Sequence, residues 1–217
     1  PFRRAFECAI DLVQALRADG HAIRRLDLGG GLGIPYGDET PPSPAAYAEM
    51  VFALTEGLDC RIVLEPGRVI VGNAGILLAR VIYVKETEER RFIIVDAAMN
   101  DLVRPAMYGA QHAIAAVAQP TADVPFEPAD VVGPVCESGD TFATQMPLPP
   151  LSAGDLIAFR SAGAYGAVMA STYNGRLLVP EVLIDGERWA EVRPRMKYET
   201  LLGLDCLPDW LQEGTTP

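Results

Sequence analysis

Apolar positions in the first third of the chain recur at helical spacing and alternate with short, continuous apolar runs. Phe6, Ala9, Ile10, Val13 and Leu16 share one helical face, and Gly20 follows where a left-handed residue ends a helix. Ile23 to Leu28 then reads as a strand that runs directly into Gly29-Gly30-Gly31-Leu32-Gly33. Ser43 as N-cap and Pro44 at the first helical position predict a second helix, with Tyr47, Met50, Val51 and Leu54 inward and Gly57 at its end. Arg61-Ile62-Val63-Leu64 is the next strand, and it ends in Glu65-Pro66-Gly67-Arg68. Helix, strand, helix, strand in this order predicts parallel βα units.

Beyond Gly72 the pattern changes to short β-rich runs separated by turns. Ile76 to Lys85 and Arg91 to Val95 read as a hairpin around the charged turn Glu86 to Arg90. Leu156-Ile157-Ala158-Phe159 follows the turn Ser152 to Asp155, and Asp185-Gly186 joins Val182-Leu183-Ile184 to Trp189-Ala190-Glu191-Val192. The expected fold class is therefore α/β plus all-β. Residues 1–72 form the C-terminal part of a (β/α)8 barrel, and residues 73–217 form an antiparallel β domain with a terminal helix. Two strands cannot close an eight-stranded barrel, so the remaining strands are expected before Pro1.

Composition narrows the partners. With 217 residues, 49% of them hydrophobic, the chain can bury a substantial core. A formal charge of −11 repels phosphodiester backbones and anionic lipid surfaces, so neither nucleic acid nor a membrane is expected as a partner. No apolar run is long enough to span a bilayer, and Pro1-Phe2-Arg3-Arg4 shows neither a start methionine nor a signal sequence, which predicts a start within a longer protein. Cys8, Cys60, Cys136 and Cys206 are widely spaced, which argues against a zinc ribbon, any other metal site or a disulfide scaffold and fits a reducing cytoplasm.

Three segments carry candidate chemistry. The glycines Gly29, Gly30 and Gly31 end a strand and allow backbone N–H groups to approach an anion such as a phosphate; a plain tight turn is the competing reading. The spacing matches neither a Walker loop nor a dinucleotide fingerprint. Glu65-Pro66-Gly67-Arg68 lies at the carboxyl end of the next strand, on the rim where barrel active sites assemble. There Glu65 suits a ring-nitrogen proton and Arg68 suits a carboxylate or phosphate, against the alternative of a mutual ion pair. In Val135-Cys136-Glu137-Ser138-Gly139-Asp140, a thiol and a carboxylate sit beside small residues in a loop, although a lone cysteine is more often a small buried hydrophobe.

These segments, followed by Gly163-Ala164-Tyr165-Gly166, occur in an order that resembles the pyridoxal-phosphate-dependent diaminopimelate decarboxylases. That group belongs with the ornithine and arginine decarboxylases, which pair an alanine-racemase-type barrel with a C-terminal β domain. The resemblance reaches the ending Tyr198-Glu199-Thr200-Leu201-Leu202 and so spans nearly the whole chain. It implies that Gly29 to Gly31 receive the phosphate of pyridoxal 5′-phosphate, that Glu65 pairs with the pyridine nitrogen, and that Pro66, Gly67, Arg68 and Tyr165 line the cofactor. It further implies an amino-acid substrate held by Arg68, Arg104, Tyr108, Glu137 and Tyr165. Cys136 becomes the proton donor to the substrate carbon, delivered into the site of the opposite subunit of a homodimer.

The implied reaction is decarboxylation of meso-2,6-diaminopimelate to L-lysine. A substrate with a second ammonium and carboxylate at its far end needs a distal cation and a distal anion, and Arg104 and Glu137 provide one each. Another basic amino acid or a carboxylated polyamine is the alternative substrate, and a non-catalytic, decarboxylase-like binding protein is the alternative class. The lysine that carries the cofactor as a Schiff base in such enzymes lies upstream of everything present here. Lys85 and Lys197 read as solvated surface residues, and His21 and His112 match no family position, so the chain alone is expected to be inactive.

Overall fold

The computed structural model describes residues 1–121 and 123–212. Helix α1 (Phe2–Ala18) buries Phe6, Ile10 and Val13, three of the positions its periodicity marks. Gly20 stops it at φ 91°, where the His21 N–H reaches back to the Leu16 carbonyl at 3.0 Å. The Arg17 guanidinium at this end donates to the carbonyls of Ile23, Leu58 and Asp59, at 2.6 Å for Leu58 and 3.0 Å for Asp59. It thereby clamps the entrances of both following strands. Strands β1 (Arg25–Asp27) and β2 (Arg61–Val63) pair in parallel, with Leu26 opposite Ile62.

Helix α2 (Pro44–Thr55) starts as the capping pattern dictates: Ser43 is extended and its hydroxyl accepts from the Ala46 N–H at 3.1 Å. Tyr47 of α2 meets the Phe2 and Phe6 rings edge-on at 5.3 and 6.0 Å. Full burial of a large apolar side chain stabilises by about 1.5–3 kcal/mol, so this aromatic cluster is the main adhesive between the two helices.

A short helix α3 (Arg68–Val71) leads into the β region. Strands β3 (Leu77–Glu86), β4 (Arg91–Val95), β5 (Ile114–Ala116), β6 (Glu127–Val132), β7 (Thr141–Leu148) and β8 (Leu156–Phe159) form one six-stranded sheet in the order β5-β8-β3-β4-β6-β7. Between β4 and β6 lies helix α4 (Arg104–Tyr108). The core includes Val81, Ile93, Val95, Leu102, Val131, Leu148, Ile157 and Phe159, all essentially inaccessible to solvent.

One expectation needs correction: the sheet is mixed, because β4 and β6 run parallel, with Ile93 beside Val131. Adjacent antiparallel strands can be joined by a tight turn, whereas parallel ones need a crossover of a dozen or more residues. Residues 96–126 provide one, and α4 and β5 lie on it. A separate antiparallel hairpin, β9 (Glu181–Asp185) and β10 (Arg188–Arg193), turns at Gly186 with φ 62° and is followed by the short helices α5 (Tyr198–Leu202) and α6 (Asp209–Gln212).

The loop after β1 is stitched to the sheet. The Ser161 hydroxyl donates to the Pro35 carbonyl at 2.8 Å, and the Ala113 N–H donates to the Tyr36 carbonyl at 2.8 Å. Elements distant in sequence are thus held in one frame around the carboxyl ends of β1 and β2. Among the described residues, no helix is long and apolar enough to cross a membrane.

Candidate active site

Two groups of side chains emerge, and the first is built on the parallel strands. The β1/β2 pairing continues past both strands: the Leu28 N–H donates to the Val63 carbonyl at 3.0 Å and the Glu65 N–H to the Gly29 carbonyl at 2.8 Å. This sets the glycine loop beside Glu65, at the strand ends where α/β folds place ligands. Asp27 orders the loop by accepting the Gly29 N–H at 2.8 Å. That donor is therefore occupied, while the N–H groups of Gly30 and Gly31 have no protein partner among the described residues. Gly30 has a further constraint, since a Cβ there would overlap the Glu65 carbonyl oxygen. Gly30 thus permits close packing, and the loop presents two backbone N–H groups without a protein partner among the described residues.

Gly67 admits the Tyr165 hydroxyl, which would lie 2.8 Å from any added Cβ. Tyr165 itself adopts φ 59°, a left-handed conformation that is costly for an aromatic residue and that clusters at functional sites. Two guanidinium groups attend its ring, those of Arg68 and Arg104, each 5.8 Å from the centroid. Arg104 opens α4, with Pro105 in the first turn and Gly109 ending the helix in a left-handed conformation. It is only 7% exposed, so its charge is buried although it stands beside a proline. Its guanidinium donates to the Tyr36 hydroxyl, lies 4.9 Å over the Tyr36 ring, and pairs with no acidic side chain among the described residues.

The second group sits on the loop between β6 and β7. Asp140 is buried and accepts the Val135 N–H at 2.7 Å and the Met99 N–H at 2.6 Å, which closes the loop and docks it on the segment after β4. Burial pushes the Asp140 carboxyl above its ordinary range, against the lowering by these two N–H donors. Cys136 is exposed on the loop, and Glu137 beside it accepts a hydrogen bond from the Tyr173 hydroxyl at 2.8 Å. Tyr173 is held through its neighbours: the Ser171 N–H donates to the Asn100 carbonyl at 2.9 Å, and the Arg176 guanidinium donates to Asn100 Oδ1 at 2.8 Å. No hydrogen bond, ion pair or ring contact joins Cys136 or Glu137 to Arg68, Arg104 or Tyr165 among the described residues.

The Tyr173 phenol is raised above its ordinary pKa, first by its hydrogen bond to Glu137 and then by the Glu137 charge. A raised folded-state value means that the bond's contribution is complete below the ordinary value of 10.0 and is lost as pH climbs through the raised one. Glu137 is therefore held in place across neutral pH. With tyrosine-labelled protein followed by NMR, Glu137→Gln is expected to lower the Tyr173 titration midpoint; an unchanged midpoint would refute the pairing.

The family model for the pyridoxal-dependent decarboxylase C-terminal sheet domain matches residues 12–163. The chain belongs to that decarboxylase family. It is 49% identical over 213 residues to the diaminopimelate decarboxylase of Zymomonas mobilis, covering 97% of this chain and 50% of that protein. It is 51% identical over 207 residues to that of Pseudomonas aeruginosa, covering 95% and 49%. Among solved structures, a Helicobacter pylori diaminopimelate decarboxylase complexed with L-lysine superposes with TM-score 0.85 at 40% identity, covering 94% of this chain and 50% of that one. The corresponding L-lysine complex from M. jannaschii gives 0.90 at 34%, covering 97% and 49%. The chain spans about half the length of the curated relatives it matches.

In this decarboxylase-family chain the structure brings together Gly29 to Gly31, Glu65, Gly67, Arg68, Arg104 and Tyr165. Cys136 and Glu137 form the separate second group, and Tyr108 is 64% exposed and joins neither. Lys85 and Lys197 are exposed. Sequence reasoning missed Tyr36, Tyr173 and the supporting role of Asp140. Tyr36 had a usable signal: it stands in the same loop as the glycines, in Gly33-Ile34-Pro35-Tyr36. His112, set aside as matching nothing, is only 2% exposed and packs edge-on against Tyr36 at 5.1 Å.

Proposed function

We propose that this chain is the C-terminal half of a homodimeric enzyme that decarboxylates meso-2,6-diaminopimelate to L-lysine and CO2 with pyridoxal 5′-phosphate. The observation that carries the reading is Arg104, a buried guanidinium that has no carboxylate partner among the described residues. A buried charge is costly unless an opposite charge compensates it. A substrate with a distal carboxylate supplies that charge; a diamine-type substrate with a distal ammonium alone would be repelled. The division of the chain at residue 72 into a barrel piece and a sheet domain belongs to the same proposal.

The residues present fit the cofactor. The free N–H groups of Gly30 and Gly31 suit its phosphate, and Glu65, one hydrogen bond from Gly29, suits its ring nitrogen. When bound, the cofactor withdraws the electron pair left on the substrate carbon as CO2 departs. Glu65 keeps a proton at the pyridine nitrogen. Arg68 and Tyr165 wall the substrate side, and Arg104 grips the distal carboxylate with its planar fork. Glu137, oriented by Tyr173, receives the distal ammonium, and Cys136 delivers a proton to the substrate carbon. Cys136 and Glu137, exposed on a loop with no contact to the Arg68–Tyr165 group among the described residues, are assigned to the site of the opposite subunit. Tyr108, exposed one turn after Arg104 on α4, is assigned to the substrate by the family resemblance alone.

The test is CO2 release by the full-length protein with cofactor, comparing meso-2,6-diaminopimelate with ornithine, arginine and L-lysine. Turnover selective for the diaminopimelate is expected, and equal or better turnover of a monocarboxylate would overturn the reading. The 217-residue chain alone is expected to show little turnover, because neither Lys85 nor Lys197 approaches the glycine loop by any contact among the described residues.

A further inference from the structure

We propose that Tyr36, backed by His112, is a positioning residue that fixes the Arg104 guanidinium for the distal carboxylate of the substrate and adds a second donor beside it. The inference rests on the function proposed above and names a determinant of its selectivity.

Arg104 carries five N–H donors on a long, flexible stem, and a buried arginine selects a carboxylate only if its planar fork is held still. Here the hydrogen bond and the nearer ring come from one residue, with the Tyr165 ring farther off at 5.8 Å. The Tyr36 hydroxyl accepts from Arg104 Nη1, and the Tyr36 ring lies 4.9 Å beneath the guanidinium carbon, so one side chain fixes both the edge and the face of the fork. A phenol that accepts from arginine keeps its own hydrogen. That hydrogen has no acceptor among the described residues, so it is free to point at the anion that Arg104 binds.

Tyr36 is in turn braced on two sides. Its backbone carbonyl accepts the Ala113 N–H at 2.8 Å, and the preceding Pro35 carbonyl accepts the Ser161 hydroxyl at 2.8 Å. The His112 imidazole meets its ring at 5.1 Å, nearly perpendicular at 84°. His112 Nδ1 faces the Arg160 carbonyl at 2.9 Å, which makes Nδ1 the protonated nitrogen, and buried Nε2 has no partner among the described residues. Burial, and secondarily the Arg104 charge, hold this histidine below its ordinary pKa. It backs Tyr36 as a neutral ring and adds no second cation to compete for the carboxylate.

The experiment uses the full-length enzyme with cofactor and the variants Tyr36→Phe and His112→Leu, each checked by circular dichroism. Inhibition constants are measured for a non-reactive diamino dicarboxylate analogue and for 1,5-diaminopentane, which lacks the distal carboxylate, together with KM and kcat for meso-2,6-diaminopimelate. Tyr36→Phe is expected to raise KM and the dicarboxylate inhibition constant by about fivefold to twentyfold, with kcat and the 1,5-diaminopentane constant within about twofold. His112→Leu is expected to act in the same direction by roughly twofold to fivefold, and it decides the matter if Tyr36→Phe folds poorly. Equal weakening of both ligands would mean a merely structural role and would overturn the inference, as would no change in either. Arg104→Met serves as the control: if it leaves dicarboxylate affinity intact, the functional reading fails, and the role of Tyr36 fails with it.

Discussion

Replacing Arg104 with methionine is expected to lower kcat/KM for meso-2,6-diaminopimelate by about 10²- to 10³-fold, chiefly through KM. Removing one partner of a buried, hydrogen-bonded charge pair costs about 3–5 kcal/mol, and each ~1.4 kcal/mol is a factor of ten. Stability should respond in the opposite way. In the protein without substrate, the Arg104 guanidinium is buried over Tyr36 with no acidic partner among the described residues, so its charge is a burden on the fold. Methionine preserves most of the stem volume and removes the charge, which should leave thermal stability equal or raise it by about 1 kcal/mol. Arg104→Lys keeps the charge without the planar fork and should fall between the two in affinity. Loss of activity and loss of stability together would show that Arg104 serves the fold, and the distal-carboxylate role would be withdrawn.

Replacing Cys136 with alanine is expected to lower kcat by roughly 10²- to 10⁴-fold, the usual worth of a positioned general acid, with KM changed little. A thiol suits the task because its reference pKa of about 8.5 allows it to yield a proton near neutrality. Cys136 is exposed, and its loop is closed by Asp140 independently of the thiol, so alanine there should leave the fold intact. The more searching measurement mixes subunits. If Cys136 serves the opposite subunit, equal mixing of Cys136→Ala and Arg104→Met subunits leaves one intact site in each mixed dimer. Random pairing should then restore roughly a quarter of the wild-type activity. Recovery no greater than the sum of the two variants would place Cys136 in its own subunit's site.

Legibility varied with the kind of residue. Local rules were sufficient for Ser43 and Pro44, because an N-cap is decided within one helical turn. They also sufficed for the Glu86–Arg90 hairpin turn, where the Thr87 N–H and the Arg90 carbonyl close at 2.8 Å. The parallel β4–β6 pairing was not legible, since alternation marks a strand without naming its neighbour. The burial of Arg104 was not legible for a related reason: only packing against Tyr36 and Tyr165, distant in sequence, buries it. Tyr173 carried no local signal at all, because its partner Glu137 lies 36 residues away.

The amino-acid sequence by itself determined the helices and strands of the first third, the two hairpins and the family, because capping, periodicity and ordered motifs act over a few residues at a time. It also named candidate site residues. The tertiary structure alone decided how they are grouped, with Arg68, Arg104 and Tyr165 converging while Cys136 and Glu137 stand on a separate loop. The physical reason is that a side chain's charge state, burial and partners are set by groups distant in sequence. Arg104 is buried over Tyr36, 68 positions away, a contact that nothing in its own neighbourhood signals.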